Sequence, residues 1–323
     1  MTPALQFASV LRVKQITGNA RLTVVMGILL TPVLATTALG DDTTVWPASP
    51  TGPETVYSPP GGPAAATREP QGPRLKWELT LGYASAYVYR GIDHSATIGD
   101  TAGTIDEAGG PSFQFAGRVT LDSGGPWKPF VELFSNYWDS EATSNWQEVR
   151  PTVGVQWQSA PASISLGATS YFYPDRAGDN TNEVFIRADA NDGALLGQKQ
   201  PILNPYALIA YDVDAKGGWY GELGVSHNWA VPGTGLTVTP VARVAYTYGL
   251  DEAFIFQTSR SGTGWQHADL GLMLSYRLNT LLNLPESDGQ WMLGGFIFRT
   301  EHLADATLGD SLTWGGVSLT WKN

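Results

Sequence analysis

The sequence predicts an all-β fold, a transmembrane antiparallel up-and-down β-barrel of roughly 12 strands. Three observations predict it. The first 40 residues read as an export leader. Charged residues make up only 15% of a chain that is 42% hydrophobic. From Arg74 onward, segments of about ten residues alternate between apolar and polar, the length a tilted strand needs to cross a bilayer.

Residues 1–40 have the parts of a signal peptide. Arg12, Lys14 and Arg21 are basic, and no acid precedes Asp41. The apolar run Leu22–Leu34 is short for a membrane helix, and Ala38-Leu39-Gly40 offers small residues for cleavage. An uncleaved anchor is the alternative. Residues 41–73 hold eight prolines, including Pro59-Pro60, among Gly and Thr. This composition builds no core and reads as a disordered periplasmic linker. It serves as a spacer or as a cell-wall contact. The barrel is expected over 74–323.

Alternation of period two puts one residue class on each sheet face. Trp77, Leu79, Leu81, Tyr83, Tyr87 and Tyr89 share one parity, against Glu78, Thr80, Gly82 and Arg90. Phe113, Phe115, Val119 and Leu121 oppose Gln114 and Arg118, while Val149, Val153, Val155 and Trp157 oppose Glu148, Arg150 and Gln156. The pattern recurs around 163–172, 183–189, 222–226, 237–248, 269–277 and 317–321, with weaker segments near 127–138, 203–213 and 290–300. In 290–300 the outward face stays open, because Trp291 favours one parity and Met292, Phe296 and Phe298 the other.

Aromatic placement separates a membrane barrel from a soluble sandwich. With the first strand running outward, Trp77, Trp127, Trp157, Trp229 and Trp321 fall at periplasmic strand ends on the apolar face. Tyr87, Tyr89, Tyr137, Tyr211, Tyr246 and Tyr248 fall near the opposite ends. Two such girdles fit the two lipid–water interfaces. The periplasmic turns at 122–126, 158–161 and 230–235 are short, although 278–289 is longer. The partners so implied are outer-membrane lipid and, for insertion, the barrel-assembly machinery.

The segment Leu81-Gly82-Tyr83-Ala84-Ser85-Ala86-Tyr87-Val88-Tyr89-Arg90-Gly91-Ile92 resembles the first strand of the TorF-type porin family, which reads like S-x-Y-x-x-R-G-x-S. Ser85, Tyr87, Arg90 and Gly91 match, while Asp93 stands where that family has serine. The resemblance spans roughly 77–140. It implies an outer-membrane barrel with a channel role.

The polar face carries the candidate functional residues. Its basic members are Arg90, Arg118, Lys128, Arg150, Arg187, Arg243 and Arg277; its acidic members are Glu78, Glu132, Glu148, Glu183, Asp189, Asp212, Glu222 and Asp269. Two readings stand. Opposed charges line a pore for passive diffusion of small hydrophilic solutes, or they pair across the lumen into a sealed structural network. Arg90 is read either as a selectivity residue or as a salt bridge fixing the first loop.

Other functions find little support. A net charge of −11 argues against nucleic acid. The absence of cysteine excludes thiolate metal sites and disulfide scaffolds. No cofactor is expected. Asp93-His94 and His267 with Asp269 complete no metal ligand set, and Asp100, Asp106 and Glu107 read as a solvated acidic loop. The chain is expected not to be an enzyme. A barrel lipid hydrolase is the remaining alternative, with His94-Ser95 and Ser226-His227 as its candidates; adjacent strand residues point to opposite faces, so Ser226 and His227 cannot form a dyad.

Overall fold

The computed structural model describes residues 74–94, 97–98, 105–107, 110–138, 147–174, 180–198, 201–215, 217–250, 262–303 and 311–323. The expected leader and linker, Ser95 and Asp100 lie outside the described residues, and the structure gives no side-chain description of Asp106 and Glu107.

Twelve antiparallel strands form the barrel, and the three-residue strand Trp229–Val231 joins the same sheet. The twelve are β1 (Arg74–Ala84), β2 (Ser112–Asp122), β3 (Trp127–Trp138), β4 (Glu148–Gln158), β5 (Ala162–Tyr171) and β6 (Thr181–Ala190). They continue as β7 (Tyr206–Asp212), β8 (Trp219–Ser226), β9 (Leu236–Leu250), β10 (Gly262–Arg277), β11 (Gln290–His302) and β12 (Leu312–Lys322). Each pairs antiparallel with its neighbours in sequence, and β1 pairs with β12, from Glu78↔Lys322 to Ala84↔Gly316. The sheet therefore has no free edge, which a lipid environment demands. The weak segments of the sequence are real strands: β3, β7 and β11. None of the described helices is long and apolar enough to cross a membrane.

The end where β1 begins and β12 finishes is called the lower end. Short turns join β2 to β3 and β4 to β5 there. Two turns of helix occupy longer lower connections: α1 (Asp192–Leu195) after β6 and α2 (Leu278–Leu282) after β10.

The faces separate as the alternation requires. Leu81, Phe113, Val131, Val153, Leu166, Ile186, Leu223, Leu270 and Val317 are exposed on the outside, while Thr80, Gln114, Arg150, Thr169, Glu183, Glu222, Arg243 and Thr320 are buried inside. A surface this apolar is at rest in hydrocarbon rather than water. Trp77, Trp127 and Trp229 are exposed at the lower end, where Trp127 also pairs with Trp157, and Trp291 with Trp321, across the ladder. At the upper end Tyr246 packs edge-on against Trp265, and Tyr211 lies 4.6 Å from Trp219.

The parity of β11 is decided by its neighbours. Met292 and Phe298 are buried and Leu293 and Ile297 exposed. This puts Arg299 and Glu301 on the outer face, where they pair at 2.7 Å near the upper end of the strand. Confinement of charge to the lumen thus holds at mid-height and relaxes at the rim, where headgroups and water meet charge cheaply.

One expectation fails. Tyr87 and Tyr89 do not continue the outer face of β1: both are completely enclosed, at 0% and 1% exposure. β1 ends at Ala84, where Ser85 exchanges hydrogen bonds with Gly315, its N–H donating to the Gly315 carbonyl and its Oγ accepting from the Gly315 N–H. The chain then turns into the lumen instead of climbing out of the membrane.

Candidate functional site: a hairpin plug in a charged lumen

The inward segment is a miniature hairpin, Val88–Tyr89 against Ile92–Asp93, with Arg90-Gly91 as its two-residue turn. Both turn residues have positive φ, 51° and 75°, the conformation that joins tightly twisted strands. Glycine takes it freely. Arginine does not, so its conformation must be held by what its side chain gains.

Arg90 gains a great deal. Its Nη2 lies 2.6 Å from Glu183 Oε2 on β6, across the lumen from β1. Its guanidinium also stacks over the ring of Tyr220 at 4.1 Å and near Tyr89 at 5.2 Å. Glu183 Oε1 further accepts from Tyr171 at 3.2 Å, and the Tyr171 and Tyr89 hydroxyls meet at 2.5 Å. Gly91 is pressed flat on His267: a Cβ there would stand 2.4 Å from the imidazole. His302 Nε2 reaches the Gly91 carbonyl at 2.7 Å, and His94 packs beside the rings of Tyr87 and Tyr89. The hairpin is thus clasped by β5, β6, β8, β10 and β11 together.

All four residues of the family-like motif serve this plug. Ser85 fixes the inward bend, Tyr87 donates to Glu148 Oε2 at 2.7 Å, and Arg90 and Gly91 make the turn. The sequence placed Arg90 on a strand; the structure places it at the apex of the hairpin. The signal that would have found it was present: Arg-Gly is a two-residue turn inside an otherwise alternating run.

The remaining predicted lumen residues also face inward and are mostly paired. Arg150 Nε meets Glu148 at 2.7 Å and its guanidinium covers the Phe134 ring at 4.2 Å. Arg187 pairs with Asp189 at 2.8 Å above Tyr206, Arg243 with Asp269 at 2.6 Å, and Arg118 with Glu132 at 3.4 Å above Phe130. Glu222 takes the hydroxyls of Tyr206 at 2.6 Å and Tyr220 at 2.5 Å, and Asp212 takes that of Thr181. Glu78 lies in register with Arg118 and Lys322. Lys128 stands 3.9 Å from Asp122 at the lower end, and Arg277 closes β10. Side chains of Arg118, Glu132 and Lys128, toward the lower end on β2 and β3, keep 12–20% exposure. The pairs beside the hairpin are nearly dry.

Large rings fill what charge does not. Phe130, Phe185, Tyr206, Phe296 and Phe298 each lie over a cross-strand glycine: Gly154, Gly167, Gly224, Gly316 and Gly271 respectively. A Cβ on Gly271 would sit 2.2 Å from the Phe298 ring. Beside Phe298 stacks Trp314, buried with its Nε1 donating to Thr300 at 3.0 Å. These inward rings were invisible as lumen filling because apolar residues read as lipid-facing by default. A cavity of about 10 Å³, room for a single water, remains between Thr80, Gln114, Ala116, Phe296 and Ser318.

His227 Nδ1 lies 2.6 Å from the Ile202 carbonyl in a lower turn, and His94 is buried in the plug. Among the described residues, no group of three or more His, Asp or Glu is placed to hold a metal ion.

No protein-family model matches the chain, and no curated protein matches it. Among solved structures it is similar to the NanC porin, at 10% identity over 76% of this chain and 100% of that one, with a TM-score of 0.44. It is also similar to LpxR from Salmonella typhimurium, at 7% identity, 76% and 99% coverage and a TM-score of 0.41. For the outer membrane channel DcaP of Acinetobacter baumannii the identity is 8%, the coverage 80% and 100%, and the TM-score 0.36. At such identities no residue role passes from them to this chain.

Proposed function

We propose that this chain is a gated outer-membrane channel for small hydrophilic solutes, closed in the conformation described by the Ser85–His94 hairpin. One observation carries the reading. The lumen is shut at the upper end by a short insert that is not part of the wall and is held by side-chain contacts. Removing it would uncover an upper lumen ringed by the arginines and carboxylates that it now contacts, a charged surface that favours hydrated polar solutes over apolar ones. In the lower approach, Arg118, Lys128 and Glu132 keep part of their charged side chains exposed. The resemblance of Ser85, Tyr87, Arg90 and Gly91 to the TorF-type porins supports the same reading, and residues 1–40 support export to the outer membrane.

The near-dry ion pairs and Gly–aromatic contacts favour a second reading, a permanently sealed structural barrel. Solute uptake separates the two. Proteoliposomes should swell slowly in small neutral sugars with the intact chain and much faster with Arg90→Ala. Equal, background swelling of both, with the variant folded, would leave the sealed barrel.

A further inference from the structure

We propose that the wall beneath the hairpin is a recognition site for small solutes carrying a guanidinium group, and that Arg90 occupies it as an internal stand-in while the barrel is closed. The inference rests on the channel reading and names the solute class that the upper lumen favours. Glu183 of β6 presents its carboxylate, with Oε1 and Oε2 at 2.7 and 2.6 Å from Arg90 Nη2. Tyr220 of β8 presents its ring face, 4.1 Å from the Arg90 guanidinium carbon. Tyr171 of β5 steadies Glu183 by donating to Oε1 at 3.2 Å. Glu222 of β8 accepts the Tyr220 hydroxyl at 2.5 Å, a bond that pushes electron density into the ring and strengthens its pull on a cation. A carboxylate beside a ring face suits a flat, weakly hydrated cation. Compact and strongly hydrated ions, such as sodium or an ammonium group, gain less from it.

Arg90 belongs to the hairpin, and the other four groups belong to the wall. When the hairpin moves away Arg90 leaves with it. Glu183, Tyr171, Tyr220 and Glu222 keep the places that sheet register gives them. Glu183 makes no second ion pair among the described residues. Its carboxylate then calls for a cation from the lumen, because a buried charge without a partner is costly. Arg150, the other cation near the Tyr171 ring at 5.8 Å, is itself held by Glu148 at 2.7 Å. Arg90 also fills the site incompletely, since its Nε is buried without a hydrogen-bond partner. A free guanidinium, not anchored in a turn, can present two nitrogens to the carboxylate.

The test reads binding rather than current, which keeps it apart from the channel reading. The barrel with residues 87–93 replaced by glycine and serine is titrated in detergent with methylguanidinium chloride, followed by saturation-transfer NMR. Methylurea, neutral and of the same shape, is the comparison. Methylguanidinium should bind at least about ten-fold more tightly than methylurea. Glu183→Gln in the same background, where no Arg90 is left to strand, should erase the difference. The full chain with Arg90→Ala is the second arm, and it decides alone if the replaced barrel does not fold. Millimolar methylguanidinium should restore part of its lowered urea midpoint, and methylurea should not. Equal binding of the two probes, a preference that survives Glu183→Gln, or no rescue of Arg90→Ala overturns the inference and leaves Arg90 and Glu183 a structural clasp. Selective binding by a replaced barrel that never conducts would overturn the channel reading instead and leave the site standing.

Discussion

Arg90 and Glu183 meet across the lumen at 2.6 Å, one at the tip of a two-residue turn and the other on the opposing wall. The pair is the principal tether of the hairpin, and both members are nearly dry. Removing one partner strands the other's charge, at a cost of about 3–5 kcal/mol. Arg90→Ala and Glu183→Gln should therefore each lower the unfolding midpoint in detergent. The double variant should be less destabilised than the sum, which a double-mutant cycle in urea measures.

Gly91→Ala should loosen the plug without touching any charge. The added methyl meets His267 at 2.4 Å and the backbone sits at φ 75°. Trypsin should then cut the hairpin after Arg90 in folded, detergent-solubilised protein, where the wild type resists.

The Gly–aromatic pairs predict a sharp size dependence. Gly271→Val places branched carbon where the Phe298 ring lies, and overpacking of this kind costs about 1–3 kcal/mol. Pairing it with Phe298→Ala should recover part of the loss, read as refolding yield and urea midpoint.

Asp192 gives a pH dependence at the lower rim. Partial burial pushes its carboxyl up, but the N–H groups of Ile202, Leu203 and Asn204 outweigh this and hold it below the usual aspartate range. Its contribution to the turn is present above the unfolded value near pH 4 and is lost as pH falls through the lowered folded value. Hydrogen-exchange protection of the Leu203 amide should hold down to about pH 4 and fall in more acid solution. Asp192→Asn should show the reduced protection already at neutral pH.

The strands and their faces were legible because lipid and lumen impose period two on every strand, and a charge on the wrong face is costly. Leu223 and Glu222, or Val149 and Arg150, declare their sides alone. The interior was legible only in its charged residues. Phe185 and Phe298 are apolar yet face inward, and their cross-strand glycines become partners only once register is known. The plug was missed for a related reason: Tyr87 and Tyr89 keep the parity of β1, so nothing in the alternation marks the bend at Ser85. That bend is set by a contact with Gly315, far away in sequence.

The central claim is that the hairpin closes a channel. Planar-bilayer recording tests it most directly, comparing the intact chain with one whose residues 87–93 are replaced by glycine and serine. The account predicts rare, small openings for the intact barrel and steady, discrete open steps for the variant. A variant that folds as a heat-modifiable barrel and inserts, yet stays silent at every voltage, would contradict it.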